Sequence, residues 1–170
     1  MKKRSTVIII SVLVVLIIAI GVLVQLNKSD TRVQQGTVAV TMDSKVLAEL
    51  TMDDISAMEY IEVQKEIVSS NYANDSGLFR GVPLRKILTE KVPDSLDGAN
   101  QIVVYAEDGY VTAFAMDEVT QSDNIFLAYA KDGQSLGTKD DGGSGPFRIV
   151  IQEDEFGNRS VKYVSEIQIR

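Results

Sequence analysis

The chain contains no cysteine and no histidine. Without cysteine no disulfide can staple an exported domain, and no thiolate can bind a metal or attack a substrate. Without histidine there is no Ser-His-Asp or Cys-His machine, no histidine zinc site, and none of the commonest general base near neutral pH. Chemistry therefore falls to Asp, Glu, Lys, Tyr, Ser or a bound cofactor. Charge is missing from one long stretch, because Ser5 to Leu26 holds no charged residue. Basic residues are also in the minority. Three of the 17 precede that stretch and none of the 24 acidic residues does, so residues 27–170 carry 14 against 24, a net of −10. This balance argues against nucleic acid or an anionic membrane surface as a partner, since both rely on clustered Lys and Arg. Solubility accounts for the acidity.

The uncharged run reads as a membrane anchor. Its 22 residues rise about 33 Å as a helix, enough for a hydrocarbon core of about 30 Å. Lys2, Lys3 and Arg4 precede it, and the positive-inside rule keeps that end cytoplasmic and exports the rest. A cleaved signal peptide is the rival reading. Its apolar core is usually shorter, and Val22-Leu23-Val24-Gln25-Leu26 offers no A-x-A cleavage pattern. The expected organisation is a cytoplasmic tail over 1–4, an anchor over 5–26, a tether over 27–36 and one extracytoplasmic domain over 37–170.

Within the domain, Val38, Val40 and Met42 alternate with smaller residues, and Val46 to Leu50 comes after Asp43-Ser44-Lys45, the pattern of a hairpin. Thr51 caps a helix start, with Asp53 and Asp54 at its positive end. Tyr60 to Val68 reads as a strand, Asn71 to Gly77 as a polar loop, and Gly81 to Leu88 as a helix start with Pro83 in its first turn. Leu84, Ile87 and Leu88 share a face that packs on a sheet. A hairpin with an Asp108-Gly109 turn joins Ile102–Ala106 to Tyr110–Phe114. Met116 to Val119 reads as one helical turn and Ile125 to Ala130 as a strand. Phe147–Ile151 and Val161–Ile169 close the domain around the turn at Phe156-Gly157-Asn158. Strands dominate, which predicts a mixed α+β fold.

Most candidate motifs have plain structural readings. Gly142-Gly143-Ser144-Gly145 lacks the G-x-x-x-x-G-K-[ST] spacing of a phosphate loop, and Pro146 leads into a strand. Asp132, Asp140 and Asp141 do not match EF-hand spacing and read as a solvated turn. Ser69 and Ser70 sit in no nucleophile motif, with neither a histidine nor a Ser-x-x-Lys pattern to activate them. Tyr105, Tyr110 and Tyr129 read as strand packing, with pocket lining the alternative.

Three segments occur in an informative order: Phe79-Arg80-Gly81-Val82-Pro83-Leu84, then Glu107-Asp108-Gly109-Tyr110, then Gly145-Pro146-Phe147-Arg148. Arg159-Ser160-Val161-Lys162 comes after the last of them. Together they resemble the sulfite-oxidase type of molybdopterin-binding domain over roughly Thr37 to Arg170. The resemblance implies a pterin cleft whose phosphate side is held by Arg159, Ser160 and Lys162, with Tyr110 nearby. Two cations and a hydroxyl suit a phosphate. Strand-end charges are the plain alternative for Arg159 and Lys162. Arg148 is expected to be structural, paired with a carboxylate. The resemblance also implies a metal-binding cysteine at or near Val68, where this chain has none, and Val or Ser cannot replace a soft thiolate.

The expectation is therefore a membrane-anchored domain of this type without working molybdenum chemistry. It would carry no cofactor, molybdopterin being the one the resemblance would supply, and would act as a binding module for a small anionic ligand or a surface protein. An active molybdopterin-dependent oxidoreductase with a non-cysteine metal site is the first alternative, and a structural cell-surface module the second.

Overall fold

The computed structural model describes residues 12–20, 36–69 and 74–170. The chain divides into two compact units, Met1–Arg32 and Val33–Arg170. In the first, the described residues 12–20 form a helix, α1, of uncharged side chains. Nine residues rise about 14 Å, and among the described residues no helix is long and apolar enough to cross a membrane. The rest of the expected anchor over 5–26, the tail over 1–4 and all of the tether except Gly36 lie outside the described residues, as do Ser70 and 71–73.

The second unit holds two five-stranded sheets. The first has the order β2-β1-β10-β5-β6, built from β1 (Thr37–Met42), β2 (Lys45–Thr51), β5 (Gln101–Ala106), β6 (Val111–Ala115) and β10 (Val164–Ile169). Its one parallel pairing is β1 with β10, and the others are antiparallel. The second sheet runs β3 (Ile61–Ile67), β4 (Asp75–Pro83), β7 (Ile125–Lys131) and β8 (Gln134–Ser135), with β9 (Arg148–Ile151) also paired to β7. The helices are short: α2 (Met52–Ser56), α3 (Leu84–Lys91) and α4 (Met116–Thr120). The expected α+β fold is what forms.

The main core lies between the sheets. Val38 and Val40 of β1 and Ile167 of β10 meet Ile125 and Leu127 of β7 and Ile149 of β9, with α3 adding Leu84, Ile87 and Leu88. Alternation sends Phe126 and Ala128 to the opposite face of β7, where they join Phe79, Ile67 and Val150 in a second cluster. Strand β7 is thus apolar on both sides, as a central strand should be.

Local signals place the elements around this core. Thr51 caps α2 with a reciprocal box, its hydroxyl accepting from the Asp54 N–H at 3.2 Å while its own N–H donates to Asp54 Oδ2 at 2.9 Å. The Asp108-Gly109 turn closes β5 on β6, with Gly109 at φ +87°. One expectation fails. The segment read as loop and helix start is the nine-residue strand β4, paired to β3 and β7 on its two edges. Gly81 is needed there because a Cβ would sit 2.4 Å from the Leu127 carbonyl oxygen. Pro83 ends β4 as the N-cap of α3 rather than lying inside the helix. The last strand also begins later than expected, at Val164, after Tyr163 turns through φ +56°.

Candidate functional site

Strand β9 ends at Ile151, and the chain then loops back through a short 3-10 turn, Gly157–Arg159, to Tyr163. Backbone bonds tie this segment to other loops. Gly157 N–H donates to the Val68 carbonyl at 2.9 Å, and Glu107 N–H to the Tyr163 carbonyl at 2.9 Å. The Tyr163 hydroxyl reaches the Gly143 carbonyl at 2.9 Å. The Tyr110 hydroxyl donates to the carbonyl of Asn158. Arg159, Ser160, Lys162 and Tyr110 therefore share one loop end.

Their polar atoms are largely engaged within the chain. Arg159 donates from Nε and Nη2 to the two oxygens of Asp154 at 2.8 and 2.6 Å, and from Nη1 to Glu118 Oε1 at 2.7 Å. The Asp154 bonds outweigh partial burial, and with Glu118 they raise the guanidinium further above its ordinary value. The Ser160 hydroxyl donates to the Ile149 carbonyl at 2.7 Å and accepts from Arg148 Nε at 3.1 Å. Lys162 is exposed and makes no ion pair among the described residues.

Arg148 is 3 % exposed and ion-paired to Asp75, with the Phe79 ring 5.6 Å from its guanidinium carbon. Lys131 reaches the second oxygen of the same carboxylate. This matches the expected structural role for Arg148. Asp75 was not legible as the partner, since it lies 73 residues away. Neither Asp154 nor Glu118 stood out in the sequence. The first is an acidic loop residue and the second a helix-start residue, and both read as ordinary surface charge.

The other candidates resolve as structure. Gly143 packs so closely that a Cβ would meet the Leu136 carbonyl oxygen at 2.3 Å, so its smallness serves the loop's own packing. Asp141 accepts from the Thr138 hydroxyl at 2.6 Å, and Asp132 accepts from the Leu78 N–H at 2.9 Å. Tyr105 bonds Gln168 at 3.1 Å. Burial raises the pKa of Tyr129. Among the described residues no group of three or more acidic side chains is placed to hold a metal ion. A separate cleft of about 140 Å³ is lined by Tyr60, Pro83, Arg85, Lys86, Glu59 and Asp123. It is smaller than typical ligand pockets of about 300–1,000 Å³, and both cations are already paired, Arg85 with Asp123 and Lys86 with Glu59.

The sequence profile of the oxidoreductase molybdopterin binding domain matches residues 28–170. The chain belongs to the oxidoreductase molybdopterin-binding domain family. No curated protein matches it in sequence. Among solved structures it is similar to the sulfane dehydrogenase SoxCD from Paracoccus pantotrophus, with 18 % identity and a TM-score of 0.58. The match covers 82 % of this chain and 39 % of that one. At that identity the likeness establishes the sulfite-oxidase-like fold. The chain spans well under half of the SoxCD chain that it matches.

The family's cofactor can be tested against the residues present. A molybdenum–pterin group asks for a soft ligand and for free donors toward its phosphate. No thiolate exists in the chain. Val68, near the expected ligand position, is apolar and half-buried, and it bridges Phe156. Arg159 and Ser160 direct their donors inward, and so does the Tyr110 hydroxyl. Of the four, Lys162 alone makes no ion pair or hydrogen bond among the described residues. This donor set does not fit the group.

Proposed function

We propose that the protein is a membrane-anchored, extracytoplasmic member of the family whose domain serves as a binding module for a partner protein rather than as a cofactor-loaded oxidoreductase. The carrying observation is the fate of the four expected cofactor-side residues. Three of them spend their polar groups on the chain itself, and the metal ligand has no counterpart. Placement at the membrane rests on the uncharged run from Ser5 to Leu26 behind Lys2, Lys3 and Arg4.

A surface rather than a cleft is the expected binding element. Tyr110, Val111 and Phe156 are each about half exposed at the same loop end, at 47, 48 and 54 %. Exposed aromatic residues on rigid loops are common anchors of protein interfaces.

Family membership favours one rival, an active molybdopterin-dependent oxidoreductase with a non-cysteine metal site. The test purifies the full chain in detergent from the membrane fraction of a cofactor-producing host. Molybdenum and tungsten are then measured by mass spectrometry and pterin by fluorescence. Metal and pterin both well below one per chain are expected. Stoichiometric metal with pterin would establish the rival, and recovery of the chain in the soluble fraction would remove the anchor.

A further inference from the structure

Strand β6 ends one side of the first sheet, with β5 on its other edge. Backbone bonds at its two ends fix the direction of its peptide groups. Ala106 N–H donates to the Tyr110 carbonyl at 2.9 Å, and Met116 N–H to the Asn100 carbonyl at 3.0 Å. Val111, Ala113 and Ala115 face Tyr105, Val103 and Gln101 of β5, so the hydrogen-bonded pairs fall on the residues between them. The N–H groups of Val111, Ala113 and Ala115 and the carbonyls of Val111 and Ala113 therefore point away from β5. Among the described residues no hydrogen bond outside the β5 ladder reaches them. Their short side chains are exposed.

Sheets usually guard such an edge with charge, proline, a bulge or brevity. The other edges here do so. β2 starts at Lys45 and shifts register against β1, β3 carries Glu62, Lys65 and Glu66, and β8 has two residues. β6 has no charged residue, proline or glycine and no shift against β5. Its surroundings carry one sign of charge. From Val92 to Ala130 the chain has no basic residue. Glu107 and Asp108 precede β6 and Asp117 follows it, none of them ion-paired among the described residues. A second copy adding its own β6 antiparallel would bring Glu107 and Asp108 of one chain toward Asp117 of the other. Like charges there oppose self-pairing, and an extended segment bearing Lys or Arg meets the same acids favourably.

We infer that β6 is a docking edge, to which a basic extended segment of a partner protein adds as a further strand of the first sheet. The inference rests on the binding-module reading and names the partner's chemistry and the mode of contact.

The probe is a fluorescent, end-blocked peptide of alternating valine and lysine. About seven residues span the strand at about 3.3 Å each. Anisotropy follows its binding to the full chain in detergent at low salt, and saturable binding is expected. Methylating every amide nitrogen of the probe removes its donors and keeps its charge; affinity should fall about tenfold or more, the scale of one or two hydrogen bonds. Ala113→Pro removes one outward N–H and spares the β5 ladder, as proline can on an edge strand, and should weaken binding about fivefold. Absence of saturable binding overturns the inference. So does equal affinity for the methylated probe, or unchanged affinity in folded Ala113→Pro. Should the proline variant fail to fold, Ala113→Lys is read: the added charge on the edge should weaken the lysine probe, and unchanged affinity overturns the inference. Dimerisation of the wild type in sedimentation, abolished by the same variant, would assign the edge to a second copy and overturn the basic partner. Stoichiometric metal with pterin would defeat the binding-module reading without altering this titration, and a failed titration leaves the metal measurement standing, so the two failures are separable.

Discussion

Replacing Asp75 by Asn should destabilise the domain by about 2–3 kcal/mol at neutral pH, at or just below the bottom of what breaking a fully buried pair costs. Asp75 opens β4 and offers one oxygen to Arg148 and the other to Lys131. Arg148 is 3 % exposed, and its other bond goes to the Ser160 hydroxyl. Asparagine keeps an acceptor but removes the charge, leaving a buried guanidinium without its counterion. Breaking a fully buried pair from one side costs about 3–5 kcal/mol. Asp75 and Lys131 are 28 and 30 % exposed, so water recovers part of that loss and the lower figure applies. Urea unfolding should show a lower midpoint with an unchanged slope. The pH dependence comes from the carboxyl itself. Burial alone would raise its pKa, but hydrogen bonds from Lys131 and Arg148 outweigh it and hold the group below its ordinary 3.8. A depressed folded pKa means that the contribution is complete above the unfolded value and lost as pH falls through the folded one. The gap between wild type and variant should therefore be flat at neutral pH and shrink only below about pH 4. A variant as stable as wild type at neutral pH, or a gap undiminished in strong acid, would refute the assignment of this carboxylate as the counterion of Arg148.

Two further outcomes rest on close contacts. Gly81→Ala places a methyl 2.4 Å from the Leu127 carbonyl oxygen and 2.6 Å from Ala128 Cα, both backbone of a central strand; it should cost about 3 kcal/mol in urea unfolding, near the top of the overpacking range, and a loss under about 1 kcal/mol would show that β4 and β7 separate easily. Val68→Cys restores a thiol near the expected ligand position while leaving Arg159 and Ser160 engaged, so the folded variant should take up no molybdenum from a cofactor-producing host, and stoichiometric metal by mass spectrometry would show that a thiolate alone was missing.

Elements with a local signature were legible in the sequence. Val38 and Val40 mark the face of β1 that joins the main core, and the Asp108-Gly109 pair supplies the positive φ that its turn requires. Thr51 and Asp54 announce α2. Strand β4 lacks such a signature. Asp75, Ser76 and Gly77 are polar or small, and Gly81-Val82-Pro83 imitates a helix entry. What makes it a strand is pairing with β3 on one edge and β7 on the other, and the register with β7 joins residues roughly 50 apart in sequence. The site divides in the same way. Arg148 could be read as structural from its place at the head of an apolar strand. The partners of Arg159 could not be read, because Glu118 is 41 residues distant and neighbouring acids in a loop carry no sign of direction.

The inward bonds at the loop end bear on the proposed binding role. Val68 with Gly157, Tyr110 with Asn158, Glu107 with Tyr163 and Tyr163 with Gly143 cross-link separate segments of the chain. A partner meeting loops already fixed by such bonds loses little to their ordering, a cost of about 0.5–1.5 kcal/mol for each mobile side chain. Two of these bonds run between main-chain groups, and the other two run from the Tyr110 and Tyr163 hydroxyls to main-chain carbonyls. These bonds also fix the loops that carry Tyr110 and Phe156. On the proposed reading, loops fixed in this way favour recognition by contact over recognition by enclosure.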